Sequence, residues 1–329
     1  MERYNRAAGA AAAPSAPSAP TNKYFTEGNP GGGVAATQPG PWWFHMMTEE
    51  MRKVITDAGL TPDHTDLTQL SAAIQALVAA GAGGGGGNQG ILQKVSSNLV
   101  LTPYNGNKRI INGVARTIPN AGVSLSASGL TPGTLYYIYS WMNGSTMTLE
   151  ASTTGHSTDT TTGIEIKTGD ATRTLEGMAR VISGPAWADT AAQRFVRSWY
   201  NRQSAAGAGV FTANRTNTNT SFAEINTEIR SEFLVWAGEI VSVLLNGQVE
   251  NSTSSSNYTA VAFDGTTAEE GAGIKDASRN AISGACMKSG LAEGYHYATL
   301  VGKVDTGTAT YLGSGTVGTR TSLLSRVGG

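Results

Sequence analysis

PWWFHMMTEEMRKVITDAGLTPDHTDLTQLSAAIQALV, residues 41–78, is the stretch from which the rest of the chain is read. Trp43, Met47, Met51, Val54, Ile55 and Ala58 fall on one stripe at helical spacing, with Glu49, Glu50, Arg52 and Lys53 elsewhere, which predicts an amphipathic helix. Gly59 stops it. A second helix is expected after it, because Pro62 suits a first turn and Asp66 with Gln69 makes a capping pair ahead of an apolar run. Leu67, Leu70, Ile74 and Leu77 then recur at 3-4-3 spacing, the seam of a short coiled coil. Two readings stay open. Either the seam meets other copies of the chain, or the two helices fold back as a hairpin, with Met51, Val54 and Ile55 on Leu70, Ile74 and Leu77.

Around this stretch lies a longer ordered pattern. Tyr24-Phe25-Thr26, Gly28-Asn29-Pro30, Ala35-Ala36-Thr37, Trp43-Phe44, the helix through Glu49 to Ile55, Ala58-Gly59-Leu60-Thr61-Pro62-Asp63, Gln69-Leu70 and Ala73-Ile74 follow one another across residues 22–78. Together they resemble the N-terminal attachment region of tail-fibre proteins of tailed bacteriophages and prophages. The resemblance implies a non-enzymatic, trimeric virion protein anchored to the tail by its N-terminal end and made in the host cytoplasm. The Ala/Pro-rich extension before residue 21 departs from that pattern.

Composition bounds the remaining choices. The chain has 329 residues, with 23 basic against 24 acidic and a net charge of −1, and no cluster of Lys or Arg forms a basic face. Nucleic acid is not expected as a partner, since phosphate binding needs concentrated positive charge. Only 14% of residues are charged and 42 are glycine, which suits packed, symmetric β structure. A single cysteine, Cys286, excludes an intrachain disulfide and reads as a small buried hydrophobe. No run of about 18 apolar residues is present, so no membrane-spanning helix is expected. The first 20 residues lack the leucine-rich core of a signal peptide, so secretion by that route is not expected.

The expected organisation is an extended Ala/Pro/Gly-rich arm (1–40), a helical attachment and trimerisation region (41–80), a glycine hinge (81–90) and two β domains (91–188 and 189–329). The hinge, GAGGGGGNQG, lacks the Lys-Ser/Thr ending and preceding strand of a phosphate loop. From residue 91 the apolar period changes to two. Residues 109–111, 123–126 and 135–142 read as strands, and Asn143-Gly144 as a type I′ hairpin turn into 146–151. Another hairpin joins 164–167 to 172–175 through Thr168-Gly169-Asp170, and Ser183-Gly184-Pro185 closes the first β domain. Residues 194–200 open the second. Residues 224–236 alternate most cleanly: Ile225, Ile229, Phe233 and Val235 point one way, Glu224, Asn226, Glu228, Arg230 and Glu232 the other. Strands 240–245, 258–263 and 295–304 and a turn at Asn246-Gly247 complete a sandwich or jelly roll. A short echo, Ser128-Gly129-Leu130 to Gly133 and Ser289-Gly290-Leu291 to Gly294, each leading into a Tyr-rich strand, hints at related β units. The fold class is thus mainly β with an N-terminal helical segment: a coiled-coil-like region, then two antiparallel sandwich domains, trimeric.

Catalysis needs convergent groups, and candidates are few. His45, His64, His156 and His296 stand singly, each reading as a helix-end or surface residue, so no metal site is expected. Asp264-Gly265 with Glu269-Glu270 and Asp276 could be a glycosidase carboxylate pair, but Asp-Gly after an apolar strand is an ordinary turn, and Glu269-Glu270 reads as part of a loop. No Gly-x-Ser-x-Gly elbow is present. Neither catalysis nor a cofactor is expected. A tail-borne polysaccharide depolymerase is the alternative from another class, and it lacks the expected repeat period.

The remaining expectations concern binding. The tail-docking residues are Tyr24, Phe25, Trp42, Trp43 and Phe44, an aromatic cluster in a segment too glycine-rich to form its own core. The trimer seam is Leu67, Leu70, Ile74 and Leu77. Three chains follow from the resemblance and from the low charge of the β domains; Ile74 at a with Leu77 at d leans by itself toward two. The distal domain is expected to meet a cell-surface polysaccharide or protein through loops 214–221, 251–258 and 265–275, with Asn214, Asn217, Asn219, Asn251, Asn257, Tyr258, Asp264 and Lys275 as receptor-facing candidates. A second version makes the chain an adaptor carrying another receptor-binding protein.

Overall fold

The computed structural model describes residues 10–18, 24–81, 89–275, 279–316, 318 and 320–328. The chain divides into two compact units, Met1–Gly87 and Asn88–Gly329. Most of the expected hinge, residues 82–88, lies outside the described residues, as do residues 1–9 and 19–23 of the arm and Asp276.

In the first unit, a 3-10 turn (Pro30–Gly32) is capped by the Asn29 side chain, which accepts from the Gly32 N–H at 3.2 Å. Helix α1 (Pro41–Asp57) begins with proline in the first turn, where its missing N–H costs nothing. It ends as expected: Gly59 sits at φ +74°, and the Leu60 N–H reaches back to the Ile55 carbonyl at 3.1 Å, closing the last turn. Helix α2 (Gln69–Gly81) starts later than Pro62. The Gln69 side chain, expected to pair with Asp66, reaches back before the helix: its oxygen accepts from the Asp63 N–H and its amide donates to the Thr61 carbonyl, both at 2.8 Å. Asp63 and Asp66 instead close local turns on Thr65 and Thr68. The helices pack on each other, as in the hairpin reading, but of the residues it named only Ile55 is buried, together with Ala73, which it did not name; Ile74 is exposed.

The strands of the second unit are, in chain order, β1 (Ile91–Val95), β2 (Asn98–Thr102), β3 (Lys108–Ile111), β4 (Val114–Thr117), β5 (Val123–Leu125), β6 (Leu135–Asn143), β7 (Thr146–Ser152) and β8 (His156–Thr158). There follow β9 (Glu165–Lys167), β10 (Asp170–Ile182), β11 (Ala186–Trp187), β12 (Gln193–Arg194), β13 (Val196–Ser198), β14 (Ala205–Val210), β15 (Arg215–Asn217) and β16 (Ala223–Glu224). The last are β17 (Ser231–Val235), β18 (Val241–Asn251), β19 (Ser256–Phe263), β20 (Ala268–Lys275), β21 (Asn280–Lys288), β22 (Gly294–Val304), β23 (Ala309–Tyr311) and β24 (Ser322–Val327).

A seven-stranded sheet runs β7-β6-β10-β9-β8 with β11 and β13 on β10, beside small sheets β1-β2-β5 and β3-β4. These bury Leu99, Leu101, Ile111, Ile118, Ile138 and Val181 in one core. Two six-stranded sheets, β12-β17-β22-β19-β20 with β16 and β14-β24-β18-β23-β15 with β21, face each other across a second core that includes Phe233, Val261, Leu300, Val243, Leu245 and Tyr311. Cys286 is buried there. A third cluster joins the two systems: Tyr139, Leu175 and Met178 of the seven-stranded sheet meet Leu234 and Trp236 of the sandwich. Residues 193–198 are shared, with β12 pairing β17 and β13 pairing β10. A buried ion pair, Arg109 to Glu176 at 2.8 Å, lies in the first system, with Ser140 donating to Glu176 and the guanidinium 4.2 Å from the Tyr200 ring.

Several expectations are corrected. Residues 224–236 are not one strand: Asn226 caps a 3-10 turn (Thr227–Ile229) by accepting from the Glu228 N–H at 2.9 Å. Ile229, Phe233 and Val235 still enter the core, but Leu234 and Trp236 on the opposite face are buried too. Asn246-Gly247 is no turn. Strand β18 runs straight through it, because it is paired on both sides and a Cβ at Gly247 would lie 2.6 Å from the Thr321 hydroxyl. At the β6–β7 hairpin the loop residues are Gly144 and Ser145, and Gly144 is at φ +61°. A two-residue hairpin loop with both residues at positive φ is formed instead by Asn112-Gly113, between β3 and β4.

Candidate functional site

In the helical unit, Tyr24 is 96% exposed, and Phe25, Trp43 and Phe44 are also open to solvent. Trp42 is half-buried. Phe25 meets Trp43 edge to face at 5.3 Å, and Trp42 meets His45 at 5.5 Å, so the aromatics pair with each other rather than filling a core. Of the seam residues, Leu70 and Leu77 are half-buried. Leu67, placed before α2 by the late helix start, is 95% exposed, and Ile74 is 49% exposed.

The loop candidates divide. Asn214 and Asn219 are exposed, and Tyr258 is half-buried. Asn217, Asn251 and Asn257 are buried: Asn217 donates to the Gly302 carbonyl at 2.9 Å, and Asn251 donates to Asn257 at 2.7 Å. Buried polar groups need partners. The Asn217 and Asn251 amides find theirs inside the fold at the ends of β15 and β18, and Asn257 at the start of β19 accepts from Asn251 while its own N–H₂ has no protein partner among the described residues. Lys275 ends strand β20, and Glu269 also lies in that strand rather than a loop, ion-paired with Lys288. Asp264 holds the turn as expected, at φ +52°, and pairs with His296 at 2.6 Å.

A cluster not anticipated from sequence forms around His156, which opens β8 and is mostly buried rather than a surface residue. Its Nδ1 lies 2.5 Å from Glu165 of β9, and its Nε2 lies 3.2 Å from both oxygens of Glu293, just before β22. The Tyr137 hydroxyl donates to Glu293 at 2.7 Å, and Thr158 donates to Glu165. The ring is walled by Trp199 at 5.0 Å, Tyr137 at 5.6 Å and Trp236 at 5.8 Å. Arg202 stacks 4.2 Å from Trp199. Hydrogen bonds to Glu293 and Glu165 raise the His156 pKa, outweighing burial. Burial pushes Glu293 up, but hydrogen bonds from His156 and Tyr137 bring it below the ordinary carboxylate value. Each carboxylate is engaged by neighbours in the fold, so the cluster fastens segments together. Only the echo around Gly290 and Gly294 pointed near it; Glu293 is 137 residues from His156, a separation that no local pattern bridges.

The outer faces of the sandwich differ. On the β17-β22-β19 side, Ala260, Ala262 and Val301 are buried beneath Phe222 and Ala268, and Arg180 and Arg230 stack on Tyr295 and Tyr297 at 4.0 Å each. On the β18-β24 side, Leu244 pairs across to Leu324 and Ala285, with Met287 in the next row, and Leu244, Leu324 and Met287 are exposed. Among the described residues, no three His, Cys, Asp or Glu side chains are grouped to hold a metal ion, and no helix is long and apolar enough to cross a membrane.

No family model matches the chain. An insecticidal delta-endotoxin from Bacillus thuringiensis aligns over 73% of this chain and 52% of its own, at 9% identity and a TM-score of 0.26. The infectious bursal disease virus Gx strain structure aligns over 73% of this chain and 70% of its own, at 9% identity and a TM-score of 0.23. Neither likeness bears on fold or function. A defective tail fibre protein of a Mu-like prophage of Haemophilus influenzae is 44% identical over 54 residues, 16% of this chain. The chain spans 8% of that protein's length, and the match supports, loosely, a phage tail-associated role.

Proposed function

We propose that this chain is a structural protein of a phage tail, a homotrimer held to the tail by its helical unit and presenting the β unit to the host-cell surface. The reading rests on the 54-residue likeness to a prophage tail fibre protein. It is supported by the helical unit, which displays Tyr24, Phe25, Trp43, Phe44 and Leu67 while burying little. Exposed aromatics in a segment without its own core suit a docking surface, where aromatic side chains carry much of the binding energy. The other tail proteins would cover them. The exposed side chains of Asn214, which accepts from Gly313, and Asn219, which donates to Asn217, suit recognition of a saccharide or protein on the cell through their outward groups, without chemistry on it.

A second version has one observation in its favour. The β18-β24 face, with Leu244, Leu324 and Met287 exposed beside Arg326, suits cover by another protein, as on an adaptor carrying a separate receptor-binding chain. Deleting residues 1–45 tests the attachment reading. The shortened protein should be made and folded yet absent from purified particles; its presence there would contradict attachment through the helical unit.

A further inference from the structure

The seven-stranded sheet and the sandwich meet at His156. Glu165 belongs to the first system, on β9, and pairs across the short β8–β9 ladder with Thr158. Glu293 belongs to the second, leading into β22. Both ring nitrogens therefore face carboxylates, Nδ1 at 2.5 Å and Nε2 at 3.2 Å. An ionised carboxylate only accepts hydrogen bonds, and a neutral imidazole has one N–H to give. Two such acceptors require the imidazolium. A neutral ring would leave a lone pair against one of the carboxylates, at close range and beside the Trp236 ring, which is fully buried.

We propose that His156 is a proton-gated tie between the two sheet systems: as the imidazolium it donates to Glu165 and Glu293 together, and on losing a proton it releases the Glu293 segment. Glu293 is the end that lets go. Its contact is the longer one and joins parts of the chain 137 residues apart, whereas Glu165 is held beside His156 by its own ladder.

The other charged groups nearby are already engaged. Lys167, opposite His156 on β9, is paired with Glu150 at 2.6 Å, and Arg173 with the same carboxylate at 2.7 Å. Arg202 lies over Trp199, with Glu239 at 3.9 Å. The Tyr137 hydroxyl, on β6, donates to Glu293 and is held in its neutral form by burial and that carboxylate. The sign follows from the raised pKa of His156. The tie is fully present below the ordinary histidine value of about 6.5 and is lost as pH rises through the higher folded value. At the acid end it persists until pH falls through the lowered Glu293 value. Release is therefore an alkaline event.

Trp199 and Trp236, against the His156 ring, supply the readout. Because Trp42 lies 5.5 Å from His45, the full-length chain should carry Trp42→Phe and Trp43→Phe for this experiment. Tryptophan emission is followed from pH 5.5 to 9.5 together with thermal melting. The expected result is an emission change with a midpoint above about 6.5 and a melting temperature lower by about 2–4 °C on the alkaline side. Glu293→Gln should move the emission midpoint to lower pH and shrink the change: the ring keeps Glu165 and still titrates, but a neutral amide can donate to the neutral ring, still accept from Tyr137 and hold the segment. His296, whose pKa is also raised, by its Asp264 hydrogen bond, contributes to melting in the same direction in both proteins. The difference between them isolates His156. Emission that does not titrate in the Glu293-containing protein, or that titrates identically in Glu293→Gln, overturns the proposal. The first of these outcomes needs no variant at the tie to fold.

Discussion

Among the described residues of the helical unit, Ile55 and Ala73 are the buried apolar ones, while Trp43, Phe44, Met47, Leu67 and Ile74 are displayed. In the β unit, Phe211, Phe233, Trp236 and Tyr311 are fully buried and the apolar residues form joined cores. The difference follows from element geometry. Two helices of 17 and 13 residues share one contact and leave the rest of each surface open, and helices this short are marginal without further packing. Facing sheets close on each other over a shared core. One part of the chain therefore buries its large apolar residues within itself and the other displays them.

The sharpest way to break this contrast is to damage the β unit and watch the helices. Phe233→Ala, at a site with no exposure, should cost about 3–5 kcal/mol in urea unfolding followed by near-UV circular dichroism. If the helical signal at 222 nm shifts in parallel, the two units are not independent. Arg109→Ala should cost a comparable or slightly smaller amount, about 3 kcal/mol or more, by leaving Glu176 buried without its cation. Burial already raises the Glu176 pKa. Without Arg109 it rises further, so the carboxyl protonates and the loss should be smaller at pH 5 than at pH 8. Comparing the two unfolding midpoints checks the sign.

Smaller effects refine the loop readings. Asn251→Ala removes a buried amide that bridges Asn257 and the Thr306 carbonyl and should cost about 1–3 kcal/mol. Asn214→Ala, at an exposed position where the side chain accepts from the Gly313 N–H at 3.0 Å, should cost less, about 0.5–1 kcal/mol. Equal effects at the two sites would remove the distinction between a buried and an exposed asparagine.

Much of this division could be read from the sequence, and the exceptions have physical reasons. The end of α1 at Gly59 and strands β6, β7, β19 and β22 follow from local pattern, where periodicity and turn chemistry act within a few residues. Asn246-Gly247 misleads because the same dipeptide that favours a tight turn is overridden by ladders on both sides of β18. Asn217, Asn251 and Asn257 look like solvated loop residues because burial depends on strands far away in sequence. Nothing local to His156 marks it, since its partners come from β6, β9, the residues after β13 and β17, and the approach to β22.

The claim that the helical unit is completed by other copies of the chain is tested most directly by sedimentation equilibrium of the full-length protein beside Leu67→Ser/Ile74→Ser. Both side chains are exposed in the single chain, so the double variant should fold normally and keep the melting temperature of the β unit. The expected result is three chains for the unchanged protein and one for the variant. A full-length protein that sediments as a single chain at micromolar concentration, or a variant that stays trimeric, would contradict it.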